Sequence, residues 1–473
     1  MKKALSKKNI WDKTPLLLKS TLGRGLSIIP TEWFLGRTFS ENCKFIQNSQ
    51  WWPGGRSREY QLNKLREIIR LAYERTRFYR RTFDSAGFHP DKFQSLDVIC
   101  NLPTINKQTV VENLEDMCTK NTKYCNVDYD STGGTSGAPL HFYINTDRSS
   151  IEYAYLTTSW QRAGYKLGMP MAVLRGRAVR PDRNGFYHEY DPILNHHYYS
   201  NFHMTADNMK QYIDHICSIG PCMLHAYPSS AHAFAKFILS TGQKIPQNVQ
   251  GILLESENVY SDQVKDIERA FDANVFSSYG HSEKLVLAAQ CEHSMDYHVW
   301  PTYGFFELLD ESLNPVTTPG QQGEIVGTGF INTIVPFIRY RTGDFATYLG
   351  DHCEACGREH IIITDIRGRW SQGGLIASDG SIVTMTALNV HDDTFDKVRE
   401  YQFHQSIPGK ATLWVLPLMP LDYREKQRII ANMNKRLQGQ VTLDLEIKTD
   451  ITKTAEGKQP RVIRASSICP VNT

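Results

Sequence analysis

The alternation of strand and helix patterns between residues 171 and 280 constrains the fold of this chain more than any other feature. Apolar runs such as Met171–Leu174 and Gly251–Leu254 predict buried strands, and the amphipathic stretches 206–219 and 261–271 predict helices. This alternation predicts an α/β fold with a mainly parallel sheet. In such sheets, ligands bind beyond the carboxyl ends of the strands.

The segments outside this region predict further units. Residues 59–81 have apolar side chains at helical spacing and predict one helix. From about residue 291 to residue 369, glycine-punctuated strand patterns predict a β-rich subdomain. Residues 370–473 combine strands and a helix and predict a small α+β domain. Because 473 residues are too many for one ordinary core, we expect two or three domains.

Seven consecutive residues consist only of hydroxyl side chains and glycines. They are Ser131, Thr132, Gly133, Gly134, Thr135, Ser136 and Gly137. Glycines let backbone N–H groups approach an anion, and hydroxyl groups add donors for phosphate oxygens. A flexible linker is the alternative, and the Gly-Lys-Ser/Thr ending of a Walker loop is absent. Because the strand-like run Leu140–Ile144 follows, we interpret the segment as a strand–loop–strand cradle for the distal phosphates of a nucleotide.

Polar residues follow two of the predicted parallel strands. Ser256 and Glu257, together with the flat ring of Tyr279, are candidates to frame a nucleotide base. Ser282 is a candidate donor to a phosphate, and Glu283 is a candidate ligand of Mg²⁺, which prefers carboxylate and phosphate oxygens. Tyr279 also suits a core position, so this assignment is a hypothesis.

Two later residues complete the candidate nucleotide site. Asp344 follows a glycine that permits a tight turn, and its carboxylate suits the two ribose hydroxyls. Arg369 suits the charge of the phosphates. A turn cap for Asp344 and a surface charge for Arg369 are the alternatives, because short motifs of this kind recur by chance.

The order of these motifs resembles that of the adenylate-forming superfamily of acyl-CoA synthetases. In chain order the motifs are 131–137, Tyr279-Gly280-His281-Ser282-Glu283, Gly323-Glu324-Ile325, Tyr340-Arg341-Thr342-Gly343-Asp344, Gly368-Arg369 and Gly457-Lys458. The phrase from Pro336 to Asp344 is similar to the phenylacetate–CoA ligase branch. Residues 50–90 are similar to the capsule-biosynthesis-associated members of that branch.

The resemblance implies a large N-terminal domain over 1–369, a small mobile C-terminal domain over 370–473, and a two-step reaction. ATP and a carboxylic acid would form an acyl-adenylate and pyrophosphate, and the acyl group would then pass to an acceptor, usually coenzyme A. By this resemblance Thr132, Thr135 and Ser136 contact the β- and γ-phosphates, and Ser282 contacts the α-phosphate. Glu283 holds Mg²⁺, Asp344 contacts the ribose, and Lys458 neutralises charge in the adenylation step. Gly280 and His281 belong to the same motif as Ser282 and Glu283, and the resemblance therefore assigns them to the nucleotide site as well.

Two other functions stay open. One keeps the adenylation step but transfers an acyl or aminoacyl group to an amine or hydroxyl of a sugar in polysaccharide biosynthesis. The other is a nucleotide-binding, zinc-stabilised module without turnover. Glu283 and Lys458 together favour an enzyme, because a module without turnover needs neither.

Four residues form a separate candidate metal site. Cys353 and Cys356 have the Cys-x-x-Cys spacing that places two thiolates on one zinc ion, and Cys291 with a histidine would complete a tetrahedron. His298 is preferred to His293 as this histidine because it precedes a predicted strand. Four protein ligands leave no open position, so this zinc would be structural. Reduced thiols without a metal are the alternative.

Charge and cysteine usage limit the partners. A formal net charge of +3 is too small to indicate a nucleic-acid partner. The ten cysteines are scattered and no signal-peptide pattern is apparent, so we expect a cytoplasmic protein. A monomer and a homodimer both stay open. The basic segment 16–35 permits a peripheral membrane contact.

Overall fold

The computed structural model describes residues 30–120, 127–132, 140–177, 179–243, 246–368, 374–384, 388, 393–452 and 461–465. Most of the segment 16–35, for which a membrane contact was considered, lies outside this part. Among the described residues, no helix combines the length and the apolar character that crossing a membrane requires.

Helices pack against the large sheet, and one helix packs against a small sheet. The α-helices of the described residues are α1 (Thr31–Ser49), α2 (Gly54–Arg75), α3 (Arg77–Ser85), α4 (Lys107–Met117), α5 (Arg148–Trp160), α6 (Ala206–Ser218), α7 (Pro228–Thr241), α8 (Ser261–Phe271) and α9 (Tyr423–Leu437).

The strands up to residue 290 include the alternating region. They are β1 (Val127–Ser131), β2 (His141–Asn145), β3 (Met171–Leu174), β4 (His188–Asp191), β5 (His196–Tyr199), β6 (Cys222–Ala226), β7 (Val249–Leu254), β8 (Val275–Gly280) and β9 (Leu287–Gln290). The later strands are β10 (Tyr297–Val299), β11 (Gly304–Leu309), β12 (Gln322–Gly329), β13 (Tyr340–Gly350), β14 (Ile362–Arg367), β15 (Gly374–Ile376), β16 (Ile382–Thr384), β17 (Val398–Ile407), β18 (Lys410–Pro417), β19 (Thr442–Ile447) and β20 (Val462–Arg464).

One twelve-stranded mixed sheet organises the described part of the chain up to residue 368. Its order is β11-β12-β13-β14-β10-β9-β8-β7-β6-β3-β5-β4. Strands β5, β3, β6, β7 and β8 are parallel, and the remaining neighbours are antiparallel. The prediction of a mixed α/β fold is confirmed, but within this large sheet parallel strand pairing is confined to the region 171–280. The β-rich segment continues the same sheet, because β8 pairs with β9 and thereby joins the two parts.

The parallel strands are apolar because both of their faces are covered. All four residues of Met171–Leu174 are buried. Helices α6, α7 and α8 contribute side chains such as Phe234 and Ile267 to the core on one face. Trp160 and Tyr165 contribute to the core on the other face. Strands buried on both faces give the continuous apolar runs that made this region predictable.

The prediction of a single helix over 59–81 is wrong in one respect, because the helix is interrupted at Thr76. This residue adopts an extended conformation with φ −120° and ψ 149°. Its Oγ1 accepts a hydrogen bond of 3.1 Å from the backbone N–H of Tyr79 and so caps α3. The apolar spacing continues across the break because α2 and α3 contribute to the same core, and it therefore does not reveal the cap.

A small sheet with the order β19-β18-β17-β20 forms the end of the described chain. Helix α9 begins in a capping box between Asp422 and Glu425 and buries Met433 against this sheet. Phe202, from the loop after β5, packs into the same core. His141 Nε2 lies 3.2 Å from Asp396 Oδ1, a second contact between the two parts of the chain.

Candidate active site

The β1–β2 hairpin carries the predicted phosphate loop. Its antiparallel register ends at Ser131 and His141, and the backbone N–H of Thr132 donates to the carbonyl of Leu140 at 2.9 Å. The N–H of Leu140 donates in turn to Thr132 Oγ1 at 3.0 Å. Arg148, at the start of α5, anchors the hairpin through ion pairs with Asp128 and Asp130. The strands flanking the loop are therefore present as predicted, while its contacts with phosphate stay a prediction.

Several predicted site residues lie outside the described part of the chain. They are Gly133, Gly134, Thr135, Ser136, Gly137, Arg369 and Lys458. Their roles stay predictions.

Two buried carboxylates are each oriented by a tyrosine. Tyr279 Oη, at the end of β8, donates to Asp344 Oδ2 at 2.9 Å, and Tyr340 Oη donates to Glu283 Oε1 at 3.1 Å. Asp344 is 8% exposed and Glu283 is 4% exposed. Burial, reinforced by the Asp344 carboxylate, raises the pKa of Tyr279 well above its usual value, so the phenol stays a donor. Strands β8 and β13 therefore bring together predicted residues that are far apart in sequence.

The turn after β8 positions Glu283. His281 Nδ1 lies 3.3 Å from Glu283 Oε2, on the side of the carboxylate away from Tyr340. Both ring nitrogens of His281 are buried without a well-aligned hydrogen-bond partner among the described residues. Lys284 pairs with Glu152 of α5 at 2.6 Å and fixes the turn. Ser282 lies between these anchored residues.

The predicted base-binding loop follows β7. Ser256 is exposed and has a positive φ of 72°. Glu257 Oε2 accepts a hydrogen bond of 2.9 Å from the backbone N–H of Ser229, at the start of α7. The side chain of Asn258 accepts a hydrogen bond of 3.1 Å from the N–H of Gly368. The structure thus brings the end of β14, next to Arg369, against this loop.

A charged network that the sequence analysis did not identify lies at the carboxyl ends of β3, β6 and β7. Arg175 Nη1 lies 2.9 Å from His225 Nε2 and 3.0 Å from Glu255 Oε2, and its Nη2 donates to Ser256 at 2.9 Å. Trp160 Nε1 donates to Glu255 Oε1 at 3.2 Å. Burial opposes ionisation of Glu255, but His225 and Arg175 lower its pKa to about 2. The position of Arg175 and Glu255 directly after buried strands was the signal that could have found them.

Replacing Arg175 by methionine should destabilise the protein in a pH-dependent way. Near neutral pH we expect the free energy of unfolding to fall by about 2–3 kcal/mol, because the buried Glu255 carboxylate loses its permanent cation. The folded-state pKa of about 2 lies below the ordinary 4.5, so this stabilisation is complete above pH 4.5 and is lost as the pH falls towards 2. Urea unfolding at several pH values measures the difference in the free energy of unfolding between the wild type and Arg175→Met, with Arg183→Met at an exposed position as control. If this difference grows on acidification, the pairing of Arg175 with an ionised Glu255 is contradicted.

The four predicted zinc ligands come together. Cys291, His298, Cys353 and Cys356 each offer a ligand atom, and these atoms lie within 4.8 Å of one another. Strand β10 brings His298 there because it pairs with both β9 and β14. Both ring nitrogens of His298 are buried without a hydrogen-bond partner among the described residues. Three sulfur atoms and one such nitrogen fit a tetrahedral zinc site, and of the two histidines considered, the described geometry brings His298 rather than His293 into the group.

The cysteine knuckle is attached to the N-terminal helices. Arg358 donates to both carboxylate oxygens of Glu292, at 2.7 and 3.0 Å, and also to the side chain of Gln50 at 3.2 Å. Its guanidinium lies 4.2 Å from the ring centre of Trp51. These contacts connect the segment around Cys291 and Cys356 with the turn between α1 and α2.

No family model matches the chain. The chain is 26% identical to Protein CapK of Staphylococcus aureus over 289 residues, which are 60% of this chain and 62% of CapK. It is 22% identical to phenylacetate-coenzyme A ligase of Thermus thermophilus over 321 residues, which are 67% of this chain and 71% of that protein. The aligned region therefore spans less than two thirds of the length of CapK.

The fold is similar to that of 2-hydroxyisobutyryl-CoA ligase. The structure of that ligase with 2-HIB-AMP and CoA in the thioesterification state gives a TM-score of 0.56 at 19% identity, covering 88% of this chain and 91% of the ligase. Its postadenylation state gives a TM-score of 0.55 at 18% identity, with the same coverage of both chains. At this identity the likeness concerns the fold. The chain is thus similar in sequence to proteins named phenylacetate-coenzyme A ligase and shares the fold of 2-hydroxyisobutyryl-CoA ligase.

Proposed function

We propose that this chain activates a carboxylic acid with ATP, forms an acyl-adenylate and pyrophosphate, and transfers the acyl group to coenzyme A. The pair of buried carboxylates, Glu283 and Asp344, carries the proposal. Each is oriented by a tyrosine hydroxyl. Glu283 follows the carboxyl end of the parallel strand β8, and Asp344 of the antiparallel strand β13 contacts Tyr279 at that same end, where ligands of α/β sheets bind. Similarity to proteins named phenylacetate-coenzyme A ligase supports it.

The two carboxylates have different roles in this proposal. Asp344 accepts hydrogen bonds from ribose hydroxyls, and Tyr279 holds it in place. Glu283 is the residue that would hold Mg²⁺, because carboxylate oxygen is a preferred ligand of this ion. A bound Mg²⁺ would supply neutralisation of phosphate charge. Ser282, next to Glu283, donates to the α-phosphate.

The reaction requires positioning and charge neutralisation rather than a strong acid or base. A carboxylate oxygen of the acid attacks the α-phosphorus of ATP, and the bond from that phosphorus to pyrophosphate breaks. Thr132, with Thr135 and Ser136 of the same loop, binds the departing phosphates, and Lys458 neutralises charge in this step. In the second step the sulfur of coenzyme A attacks the acyl carbon, AMP departs and the thiol proton is released.

ATP–pyrophosphate exchange in the absence of coenzyme A tests the first step. Across a panel of aryl, fatty and amino acids, at least one acid should support exchange. Lys458→Ala should lower the exchange rate by at least about 100-fold while ATP still binds, because one charge-neutralising group is lost. The exposed Lys435→Ala is the matched control. Full exchange by the Lys458 variant would contradict the role of that lysine.

The acceptor is a separate part of the proposal. Coenzyme A is favoured because the ligase relatives are named for it. Transfer to an amine or hydroxyl of a sugar is the alternative, and product formation without free coenzyme A would favour it. ATP binding without exchange for any acid would favour the nucleotide-binding module without turnover.

We also propose that Cys291, His298, Cys353 and Cys356 bind one structural zinc ion. The convergence of their ligand atoms supports this site, as do the two His298 nitrogens, which have no hydrogen-bond partner in the described part of the chain. We further propose that a small mobile domain begins near residue 370. The core around β17–β20 and α9 supports it, because apart from Phe202 its buried residues all follow residue 370. Rotation of such a domain would let one site serve both steps.

A further inference from the structure

Three histidines meet at an edge of the large sheet, apart from the candidate active site and the cysteine cluster. His188 lies on β4, His197 on β5 and His215 on α6. The register pairs His188 with Tyr199 and Tyr190 with His197, so these four side chains share one face of the β4–β5 hairpin. Helix α6 covers this face and adds the third imidazole.

The imidazoles are close enough to share one ion. One ring nitrogen from each histidine lies within 4.8 Å of those of the other two. His188 Nε2 and His197 Nδ1 are 3.1 Å apart. Two nitrogens on the same tetrahedral zinc ion, with bonds of about 2.0–2.1 Å, are separated by roughly 3.3–3.5 Å. A small adjustment would therefore bring these histidines to the separation that a metal requires.

An outer contact orients the third histidine. Tyr199 Oη lies 2.7 Å from His215 Nδ1, which leaves the Nε2 atom of that ring as the available ligand. A metal-binding histidine commonly has its second nitrogen in such a contact, which fixes the orientation of the ring. The face also carries Phe186, which stacks on His188 at 5.4 Å between ring centres. The cluster is therefore held by aromatic packing as well as by hydrogen bonds.

The cluster is partly accessible. His188 Nε2 and His197 Nδ1 lie at hydrogen-bond distance, so one of them carries a proton that a bound metal ion would displace. All three side chains are only partly buried, so a bound ion keeps a coordination position towards solvent. Imidazole ligands suit zinc, copper, nickel and iron, whereas Mg²⁺ and Ca²⁺ prefer oxygen ligands.

We propose that His188, His197 and His215 form a second metal site, which binds one divalent transition-metal ion such as Zn²⁺ and joins the edge hairpin to α6. The site does not depend on the proposed ligase activity. It differs from the cysteine site in having only nitrogen ligands from the protein and an open fourth position.

Cobalt titration of the untagged, metal-depleted full chain tests this site. The wild-type protein should bind two equivalents of Co²⁺. One site should show a thiolate-to-cobalt charge-transfer band, from the cysteines, and the other only the weaker bands of a nitrogen-ligated ion. A Cys353→Ser/Cys356→Ser variant should lose the charge-transfer band and retain one equivalent.

Two glutamine variants complete the test. The variants His188→Gln and His197→Gln should each retain the charge-transfer band. Each should weaken Co²⁺ or Zn²⁺ binding at the second site by more than about 10–100-fold, which is the effect of losing only an outer-shell partner of a ligand. His89→Gln, at an exposed histidine outside the cluster, is the control. Circular dichroism identifies a variant that fails to fold. Two full-affinity equivalents in either folded glutamine variant, or a single wild-type equivalent that the cysteine variant loses, would overturn the proposal.

Discussion

Glu283→Gln is expected to lower the rate of ATP–pyrophosphate exchange by at least about 100-fold, because it removes the charge that would hold Mg²⁺ against the phosphates. Glutamine has the same shape, and its carbonyl oxygen can still accept the hydrogen bond from Tyr340. The loss should therefore appear in the exchange rate and in its dependence on Mg²⁺ concentration, with little change in thermal stability.

A matched variant separates the loss of a ligand from a general loss of acidic charge. Glu311→Gln makes the same change at an exposed position and should leave exchange unaltered. If Glu283→Gln exchanges pyrophosphate at the wild-type rate, Glu283 has no part in metal-assisted adenylation. If it unfolds at a much lower temperature, the buried carboxylate is mainly structural.

Cys353→Ser is expected to remove one equivalent of zinc per chain and to destabilise the protein by about 2–3 kcal/mol. For a domain of about 370 residues, such a loss lowers the midpoint of thermal unfolding by about 3–4 °C. The physical reason is that the knuckle, through Arg358 and Glu292, attaches the antiparallel part of the sheet to the turn between α1 and α2. Metal analysis and thermal unfolding, with and without a chelator, measure both effects.

The control for this prediction is a cysteine outside the cluster. Cys100→Ser changes an exposed thiol and should leave both zinc content and stability unaltered. A chelator should lower the stability of the wild-type protein towards that of Cys353→Ser and have little further effect on this variant. An unchanged zinc content in Cys353→Ser, or a metal-free wild type of equal stability, would contradict a structural zinc ion.

The parallel part of the fold was predictable because its signals are local. Strands such as Met171–Leu174 are buried on both faces and read as short apolar runs between amphipathic helices. The β4–β5 hairpin was not predicted, because its strands at the sheet edge are rich in histidine and acidic residues. The continuity of the sheet through β8 and β9 was also not predicted, since pairing between strands is not encoded in the spacing of either strand.

The candidate site was likewise predictable where its signals are local and unpredictable where they depend on contacts between distant residues. The residues after β7 and β8 could be found from their place at strand ends, and the Cys-x-x-Cys spacing identified half of the metal cluster. The bond from Tyr340 to Glu283 and the contact of Arg175 with Glu255 join residues far apart in the chain. Such contacts depend on how strands lie beside one another, which the sequence alone does not reveal.

An ¹⁸O-labelling experiment tests carboxylate adenylation most directly. The acid that supports exchange is labelled with ¹⁸O in its carboxylate, and the products of the complete reaction with ATP and acceptor are analysed by mass spectrometry. Attack of the carboxylate on the α-phosphorus predicts AMP that carries one ¹⁸O atom, together with unlabelled pyrophosphate. ADP with label in inorganic phosphate, or product formation with unlabelled AMP, would contradict an acyl-adenylate intermediate.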